Sequence, residues 1–285
     1  MLTWPVDRAR ALCRAVFDHQ GFSEQEAIDC TEAIMFATLR GLDTHGIISI
    51  LPATANGAAS GKIAPKADIL TLRESAVTAV YRGNGAAGPA VAAHAMRAAI
   101  ARAREHGLGM TAVANANHFG AASAYAALAL AEDMIGVVAC NAHPVVAPFG
   151  GAEPLHGTNP IAYAAPGTAM PIVLDIATSA AAHGQIAKAQ RRGQPIPTGW
   201  ALDADGRTTT DPAAAKVLLP FGGHKGYGLG VLVDVLTGAL TGAQIGRGVR
   251  QQDPDRLAGG QSLVFQAINV AAFTEPATYK ARIDQ

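Results

Sequence analysis

The sequence contains a glycine-rich run, Gly83-Asn84-Gly85-Ala86-Ala87-Gly88, between a predicted strand and a predicted helix. The run matches GxGxxG, the phosphate-binding pattern of dinucleotide-binding Rossmann folds. Residues 76–82, however, alternate apolar and polar side chains like one arm of a hairpin, whereas a parallel Rossmann strand is continuously apolar. Pro89 starts the helix after the third glycine, and the next strand ends at Asn115 instead of an acid. We therefore interpret the run as a strand-to-helix turn outside a Rossmann fold.

Hydrophobic periodicity around this turn predicts a mixed α/β protein. A capping box, Ser23-x-x-Glu26, opens the second of two amino-terminal amphipathic helices. The predicted elements, in chain order, are helices over 7–20 and 23–41, a hairpin over 69–73 and 76–82, a helix over 89–107, a strand over 109–114, a helix over 121–133, and strands over 135–139 and 171–176.

Composition excludes several classes of function. The 285-residue, 29.1 kDa chain has 22 Lys and Arg against 22 Asp and Glu, so it lacks the positive field that binds nucleic acid or an anionic membrane. Hydrophobic residues make up 49% and charged residues 15%, below the ~25% typical of soluble domains. The length indicates one large or two small domains. The composition indicates a compact chain and favours an oligomer.

Cysteine usage and the amino terminus favour a cytoplasmic protein. Cys13, Cys30 and Cys140 form no CxxC pair, and the one ligand-like spacing, Cys140-x-x-His143, cannot hold a metal alone, which argues against a disulfide framework or a metal site. The first residues show no basic and apolar signal sequence, and the longest apolar segment, 226–242, is interrupted by Asp234. We expect neither secretion nor a membrane span.

The first motif that can carry chemistry is Arg40-Gly41-Leu42-Asp43-Thr44-His45-Gly46, directly after a predicted helix. His45 can act as a general acid because imidazole titrates near neutral pH, and the Thr44 hydroxyl can relay or orient its proton. A polar turn after a capped helix would contain the same residues, so this local pattern leaves both interpretations open.

A second polar loop, Asn115-Ala116-Asn117-His118-Phe119-Gly120, lies between a strand and a helix. His118 can hydrogen-bond a carboxamide or a substrate oxygen, or the loop can simply cap the helix. Leu174-Asp175-Ile176-Ala177-Thr178-Ser179 places a carboxylate at a strand end, which suits ribose recognition, although the hydroxyls can be plain helix caps.

Three further loops are rich in glycine, proline and asparagine. Residues 141–151 and 157–160 form a rigid, weakly charged region. Phe221-Gly222-Gly223-His224-Lys225-Gly226 precedes an apolar helix, where Lys225 can pair with a phosphate. The sequence has no P-loop, GxSxG or HExxH pattern, which argues against nucleotide hydrolysis, serine hydrolases and zinc proteases.

In this order, the segments resemble the type 2 malate/L-lactate dehydrogenase family, which also contains ureidoglycolate and sulfolactate dehydrogenases, diketogulonate reductase and the piperideine- and pyrroline-2-carboxylate reductases. The resemblance spans nearly the whole chain, and residues 265–273 resemble a late strand of the family. Its most specific parts are Arg40-Gly41-x-Asp43-Thr44-His45-Gly46, Asn117-His118-Phe119-Gly120, Ala147-Pro148-Phe149-Gly150-Gly151, Gly157-Thr158-Asn159-Pro160, Leu174-Asp175-x-Ala177-Thr178-Ser179, Ile196-Pro197-x-Gly199-Trp200, Thr210-Asp211-Pro212 and Gly222-Gly223-His224-Lys225-Gly226.

The resemblance implies a non-Rossmann α/β fold in which helices flank a largely antiparallel central sheet. An amino-terminal helical segment, 1–50, would carry the Thr-His motif, and residues 51–285 would bind cofactor and substrate. The family further implies a homodimer with its site near the subunit interface, and NAD or NADP as the hydride carrier.

Carried over residue by residue, the resemblance makes His45 the proton donor, with Thr44 as its relay in place of the family's serine, and adds His118 to the catalytic set. The residues expected to contact the cofactor are His118, Phe119, Gly120, Ala121, Ala122, Asp175, Ile176, Ala177, His183, Gly184, His224 and Lys225. The residues expected to contact substrate are Ser49, Thr158 and Asn159. No metal is implied.

Two departures from the family pattern bear on activity. The family usually has an arginine that holds the substrate carboxylate where this sequence has Ser49, and the sequence ends before the family's carboxy-terminal cofactor-contacting region. We expect hydride transfer between a nicotinamide and a small 2-oxo acid, 2-hydroxy acid or cyclic imino acid. The alternative is a cofactor-binding homologue, sensor or structural subunit, with little or no turnover.

Overall fold

The computed structural model describes residues 3–250 and 259–285, which form a mixed α/β fold with a large sheet and flanking helices. Its helices are α1 (Val6–His19), α2 (Glu24–Leu39), α3 (Ile50–Ala59), α4 (Gly88–His106), α5 (Ala122–Ala126), α6 (His183–Arg192), α7 (His224–Asp234) and α8 (Pro276–Ile283). Its strands are β1 (Leu70–Glu74), β2 (Thr78–Arg82), β3 (Leu108–Ala116), β4 (Met134–Cys140), β5 (Ile161–Ala165), β6 (Ile172–Ile176), β7 (Ala201–Leu202), β8 (Thr208–Thr209), β9 (Val217–Leu218) and β10 (Gln261–Asn269).

Within the described residues the main sheet has seven strands in the order β1-β2-β3-β10-β4-β5-β6. Five of its six pairings are antiparallel, and β2 pairs with β3 in parallel, so the sheet is mixed. The alternating directions leave β2, β3, β4 and β6 running the same way. Their carboxyl ends therefore share one side of the sheet, which we call the carboxyl edge.

The amino-terminal helices begin as the sequence predicts. The Ser23 backbone N–H and hydroxyl both donate to the Glu26 carboxylate, at 2.9 and 2.7 Å, which completes the capping box of α2. α1, α2 and α3 bury one apolar cluster that includes Phe17 and Ile34 and extends to Ala90 of α4. This packing attaches the amino-terminal helices to the long helix behind the sheet.

The run at 83–88 is a largely buried turn, and its carbonyl groups accept hydrogen bonds from other parts of the chain. The Asn117 side-chain amide donates to the carbonyls of Gly85 and Ala86, at 3.3 and 2.8 Å, and the Ala64 N–H also donates to Gly85 at 2.8 Å. A Cβ placed on Gly88 would lie 2.2 Å from the His118 carbonyl oxygen. The third glycine of the pattern is therefore needed for close packing against the His118 loop.

Several elements differ from the sequence-based expectations. The helix predicted over 121–133 is the short α5 followed by a 3₁₀ helix over Ala127–Glu132. β5, α3 and the small sheet β8-β7-β9 carry no strong local pattern and were not predicted. The late strand expected over 265–273 lies at Gln261–Asn269 and is inserted between β3 and β4.

Across residues 3–250 and 259–285, no helix combines the length and apolar character that crossing a bilayer requires. The structure therefore offers no helical membrane span in this part of the chain.

Replacing Gly88 by alanine tests the close packing under the His118 loop. The added methyl group meets the His118 carbonyl, so we expect the free energy of unfolding to fall by about 1–3 kcal/mol, the usual cost of overpacking a core. Urea denaturation measures the change. Gly228→Ala in α7 is the matched control, because a Cβ there meets no atom within 4 Å. An unchanged free energy of unfolding in Gly88→Ala would contradict the packing argument.

Candidate active site

The turn that carries Thr44 and His45 is fixed to the end of α2. The Thr38 hydroxyl accepts a hydrogen bond from the Ile47 N–H at 2.9 Å. A Cβ on Gly46 would lie 2.8 Å from the Thr38 hydroxyl oxygen, so glycine allows this close approach. The Thr44 hydroxyl lies 2.8 Å from Nδ1 of His45. One imidazole nitrogen is thereby held, which leaves Nε2 for a reacting group.

His118 completes a pair of imidazoles at the carboxyl edge. It follows β3, and its ring stacks on that of His45 with centroids 5.6 Å apart and planes at 24°. The Gly120 N–H donates to Nδ1 of His118 at 3.2 Å, which fixes this ring as well. Phe119 is buried next to it, and its carbonyl accepts from the Tyr125 hydroxyl.

Asp175 brings a carboxylate to the same edge from β6. The backbone N–H and the hydroxyl of Ser123 both donate to Oδ2 of Asp175, at 2.8 and 2.7 Å. The first turn of α5 therefore fixes the position of the Asp175 carboxylate. The carboxylate also acts on His45, because its negative charge favours the protonated imidazole.

Two more histidines approach the pair from other segments. His183 is the first residue of α6, and a Cβ on its neighbour Gly184 would lie 2.4 Å from Cγ2 of Thr44, so α6 begins against the Thr44 turn. His143 lies just after β4, close enough to His118 that its charge would lower the pKa of that residue. The histidines at 45, 118, 143 and 183 thus come together from four segments.

All four imidazoles favour their neutral form. Burial lowers the pKa of His45, and the nearby Asp175 carboxylate opposes that change. The pKa of His118 falls to about 4 because protein atoms pack around its ring, although one side of the residue stays exposed, and then because of the charges of His45 and His143. The pKa of His143 is lowered by burial and then by the charge of His183. Burial lowers the pKa of His183 as well. The site is therefore short of positive charge at neutral pH.

Thr158 and Asn159, which were predicted to contact substrate, make hydrogen bonds to neighbouring loops. Thr158 uses its carbonyl to accept from the Thr178 N–H at 2.8 Å and the Thr178 hydroxyl at 3.0 Å. Asn159 is fully buried, and its amide accepts from the Ala142 N–H and donates to the Gly230 carbonyl. The Asn159 side chain therefore organises the loops, and its contacts give no support to a role in substrate binding.

The residues predicted to contact the cofactor lie along the carboxyl edge. Ile176 and Ala177 follow Asp175, and Ala121 and Ala122 precede Ser123. The loop before α7 packs beside them, since the Phe221 N–H donates to the Thr178 carbonyl at 3.0 Å. His224 and Lys225 at the start of α7 are exposed there. Their cofactor roles stay predictions.

His143 reaches this edge without having been predicted there. The surrounding loop reads only as rigid and weakly charged, because no local pattern shows that β3 and β4 end at the same edge with β10 between them. The available signal was the spacing Cys140-x-x-His143, which by itself indicates only an incomplete metal pair. Among the described residues, no three His, Cys, Asp or Glu side chains are arranged to hold a metal ion.

The fold and the edge define an α/β protein whose paired imidazoles and fixed carboxylate suit proton transfer to a small molecule. The sequence profile of the malate/L-lactate dehydrogenase family matches residues 4–285, and the chain belongs to that family. The resemblance found in the sequence is thereby confirmed.

Individual relatives agree with this assignment. L-sulfolactate dehydrogenase from Methanocaldococcus jannaschii is 40% identical over 269 residues, 93% of this chain and 77% of that protein. Ureidoglycolate dehydrogenase (NAD(+)) from Escherichia coli O157:H7 is 34% identical over 96% of this chain and 77% of its own. (2R)-3-sulfolactate dehydrogenase (NADP(+)) from Chromohalobacter salexigens is 40% identical over 84% and 72%.

Solved structures show the same fold. The M. jannaschii sulfolactate dehydrogenase structure has a TM-score of 0.92 at 38% identity and covers 99% of this chain and 82% of that one. The delta1-piperideine-2-carboxylate reductase of Pseudomonas syringae has a TM-score of 0.86 at 29% identity, covering 100% and 86%. Named relatives thus include both dehydrogenases and a reductase of a cyclic imino acid.

The link between Asp175 and His45 is testable by titration. Asp175→Asn removes the negative charge that favours the protonated imidazole, so the pKa of His45 should fall further below its ordinary value. NMR titration of the His45 ring measures the change. Ser123→Ala is the control, because it removes a hydrogen bond to Asp175 but keeps the charge. A His45 pKa that rises or stays constant in Asp175→Asn would refute the coupling.

Proposed function

We propose that this chain is an NAD(P)H-dependent oxidoreductase that transfers a hydride to or from a small 2-oxo acid, 2-hydroxy acid or cyclic imino acid. The observation that carries the proposal is the Thr44–His45 pair, joined at 2.8 Å and stacked on His118 at the carboxyl edge. The dehydrogenase names of the relatives support the reaction type. No observation favours the alternative of a homologue without turnover.

The residues at the edge fit a dinucleotide. Gly120 has a φ of +86° and open space where a Cβ would stand, so a flat ring can approach the backbone beside His118. Asp175 suits a ribose hydroxyl, and the exposed Lys225 suits a phosphate. We propose that the turn at 83–88 takes no part, because its Gly83 and Ala86 N–H groups already donate to the carbonyls of Ala114 and Gly83. The relatives use both NAD and NADP, and the choice stays open here.

When bound, the nicotinamide supplies the hydride from its C4 atom. His45 then supplies the proton to the substrate oxygen or nitrogen on which charge develops. Its Nδ1–H donates to the Thr44 hydroxyl in the protonated form, which directs Nε2–H toward the substrate. Asp175 stabilises this imidazolium through its charge, and His118 covers one face of the ring.

We also propose that the protein acts as a homodimer in the cytoplasm. The three cysteines are buried and free, which suits a reducing compartment. α7 and the π-helical turn after it bury one face, which includes Gly230, Val233, Asp234 and Gly238. The opposite face exposes large apolar side chains, namely Val231, Leu232, Val235, Leu236 and Leu240. Such a continuous apolar face supports a subunit contact.

His45→Ala tests the proposed proton donor. Loss of a general acid costs about 10²- to 10⁴-fold in rate, so NAD(P)H oxidation with a panel of 2-oxo acids and cyclic imines should fall by that factor. Absorbance at the NAD(P)H band measures turnover, and fluorescence titration checks that cofactor still binds. Thr44→Ser, which keeps the hydroxyl, is the matched control. Turnover within tenfold of the unmodified protein would exclude His45 as the acid.

Leu232→Lys tests the dimer contact. Leu232 is 45% exposed on the apolar face of α7, and a charge there would have to be desolvated against the partner. Light scattering after gel filtration should give the mass of a dimer for the unmodified protein and of a monomer for the variant. Phe273→Lys, at a residue that is 74% exposed beyond the far end of β10, should stay dimeric. Equal masses for all three proteins would contradict the assignment of this face.

A further inference from the structure

A cleft separate from the candidate active site opens between the amino-terminal helices and the helices that cover the sheet. It has a volume of about 450 Å³ and is lined by α2 on one side, by α4, α5 and the 3₁₀ helix after α5 on the other, and by Arg10 of α1. This volume lies within the range of small-molecule sites, roughly 300–1,000 Å³. Neither the paired imidazoles nor the Asp175 carboxylate lines it. We call it the α2–α5 cleft.

The deep part of the α2–α5 cleft is apolar. Phe36 of α2, Ala93 of α4, and Ala124 and Tyr125 of α5 line it. The last three belong to the main hydrophobic core, and Phe36 packs against that core. The Tyr125 hydroxyl donates to the Phe119 carbonyl, so this polar group already has a partner. A ligand with an apolar body would therefore be stabilised here by the removal of its surface from water.

The two acidic residues that line the cleft are already bonded to arginines. The Arg97 guanidinium donates to both carboxylate oxygens of Asp29, each at 2.7 Å. The Arg10 guanidinium donates to both oxygens of Glu32, at 2.8 and 3.3 Å. Such paired bonds occupy a carboxylate on two oxygens at once. Neither acid therefore offers an unpaired negative charge to a ligand.

Arg40 is the cation of the cleft that has no acidic partner. It opens the motif at 40–46, yet its guanidinium lies 3.5 Å from the centre of the Phe36 ring, and its Nη1 donates to the Phe36 carbonyl at 3.3 Å. No ion pair among the described residues involves Arg40. A guanidinium has five N–H donors, and the carbonyl uses one of them. Three guanidiniums therefore accompany two carboxylates around the cleft, which leaves one positive charge beside the Phe36 ring.

We propose that the α2–α5 cleft binds a small amphiphilic anion, an aromatic compound that carries a carboxylate or sulfonate. Its rings lie against Phe36 and the apolar lining, and its charged group accepts hydrogen bonds from Arg40. A neutral compound of the same shape gains only the apolar part of this interaction. The inference goes beyond the proposed hydride transfer and does not depend on it.

The walls of the cleft are the helices that position the candidate active site. α2 ends next to the turn that carries Thr44, and the Thr38 hydroxyl of α2 accepts from the Ile47 N–H at 2.9 Å. In α5, Ser123 bonds Asp175 and is followed directly by Ala124 of the cleft. A ligand in the cleft thus contacts both helices without reaching the carboxyl edge. It should therefore bind at the same time as a dinucleotide.

The test titrates the full chain with two fluorescent probes, the anion 8-anilinonaphthalene-1-sulfonate and the neutral N-phenyl-1-naphthylamine, which has the same rings. Arg40→Gln should weaken binding of the sulfonate about five- to tenfold, the range for a charged hydrogen bond at a partly exposed site, and leave binding of the amine unchanged. Arg40→Lys, which keeps the charge, should bind the sulfonate better than Arg40→Gln. Arg8→Gln is the matched control, because Arg8 also covers an aromatic ring, that of Trp4 at 4.9 Å, but does not line the cleft.

A second variant fills the cleft. Ala127→Phe should abolish binding of both probes, whereas Ala58→Phe, at an equally half-buried alanine of α3 outside the cleft, should not. Circular dichroism checks that both proteins fold, and the Arg40 variants decide the outcome if Ala127→Phe does not.

Three results would overturn the inference. The first is sulfonate binding that Arg40→Gln leaves unchanged or weakens no more than binding of the amine. The second is displacement of the sulfonate by saturating NAD⁺ or NADP⁺, which would place the probe at the carboxyl edge. The third is a lower mass of Arg40→Gln in light scattering, which would assign the cleft to a second copy of the chain. None of these results bears on the proposed hydride transfer, which the His45→Ala assay tests separately.

Discussion

The site depends on the insertion of β10 between β3 and β4. This strand comes from the last part of the chain, pairs antiparallel with both neighbours, and is buried along Gln261–Phe265. Without it the sheet would be two separate units, β1-β2-β3 and β4-β5-β6. Because β10 is antiparallel to both neighbours, β3 and β4 point the same way, and the loops with His118 and His143 emerge at one edge.

The same arrangement determines the electrostatics of the edge. Imidazoles from four segments approach one another at this edge, with His45 and His143 half-buried and His118 and His183 exposed on one side, and each has a lowered pKa. Asp175 partly offsets this for His45, the proposed proton donor. A cluster that is neutral without ligands avoids the cost of burying several like charges.

Local signals predicted the local parts of this structure well. The capping box of α2, the β1–β2 hairpin and the long α4 each follow from residues that are near one another in sequence. The place of β10 in the sheet could not be found this way, because it depends on pairing with strands more than a hundred residues away. His143 was missed for the same reason, since its position beside His118 is a consequence of that pairing. Thr44, His45, His118 and Asp175, which the structure brings to one edge, were predicted from motifs whose resemblance to a family supplied what spacing alone did not.

The run at 83–88 shows why a glycine pattern needs its structural context. A phosphate-binding turn must present backbone N–H groups to the ligand, whereas here the N–H groups of Gly83 and Ala86 donate to the carbonyls of Ala114 and Gly83. Gly88 is required because the His118 carbonyl lies where a Cβ would be. The glycines thus allow the loop that carries His118 to approach α4 closely. These glycines therefore affect the site indirectly, because they allow the backbone position of His118, one of the two stacked imidazoles.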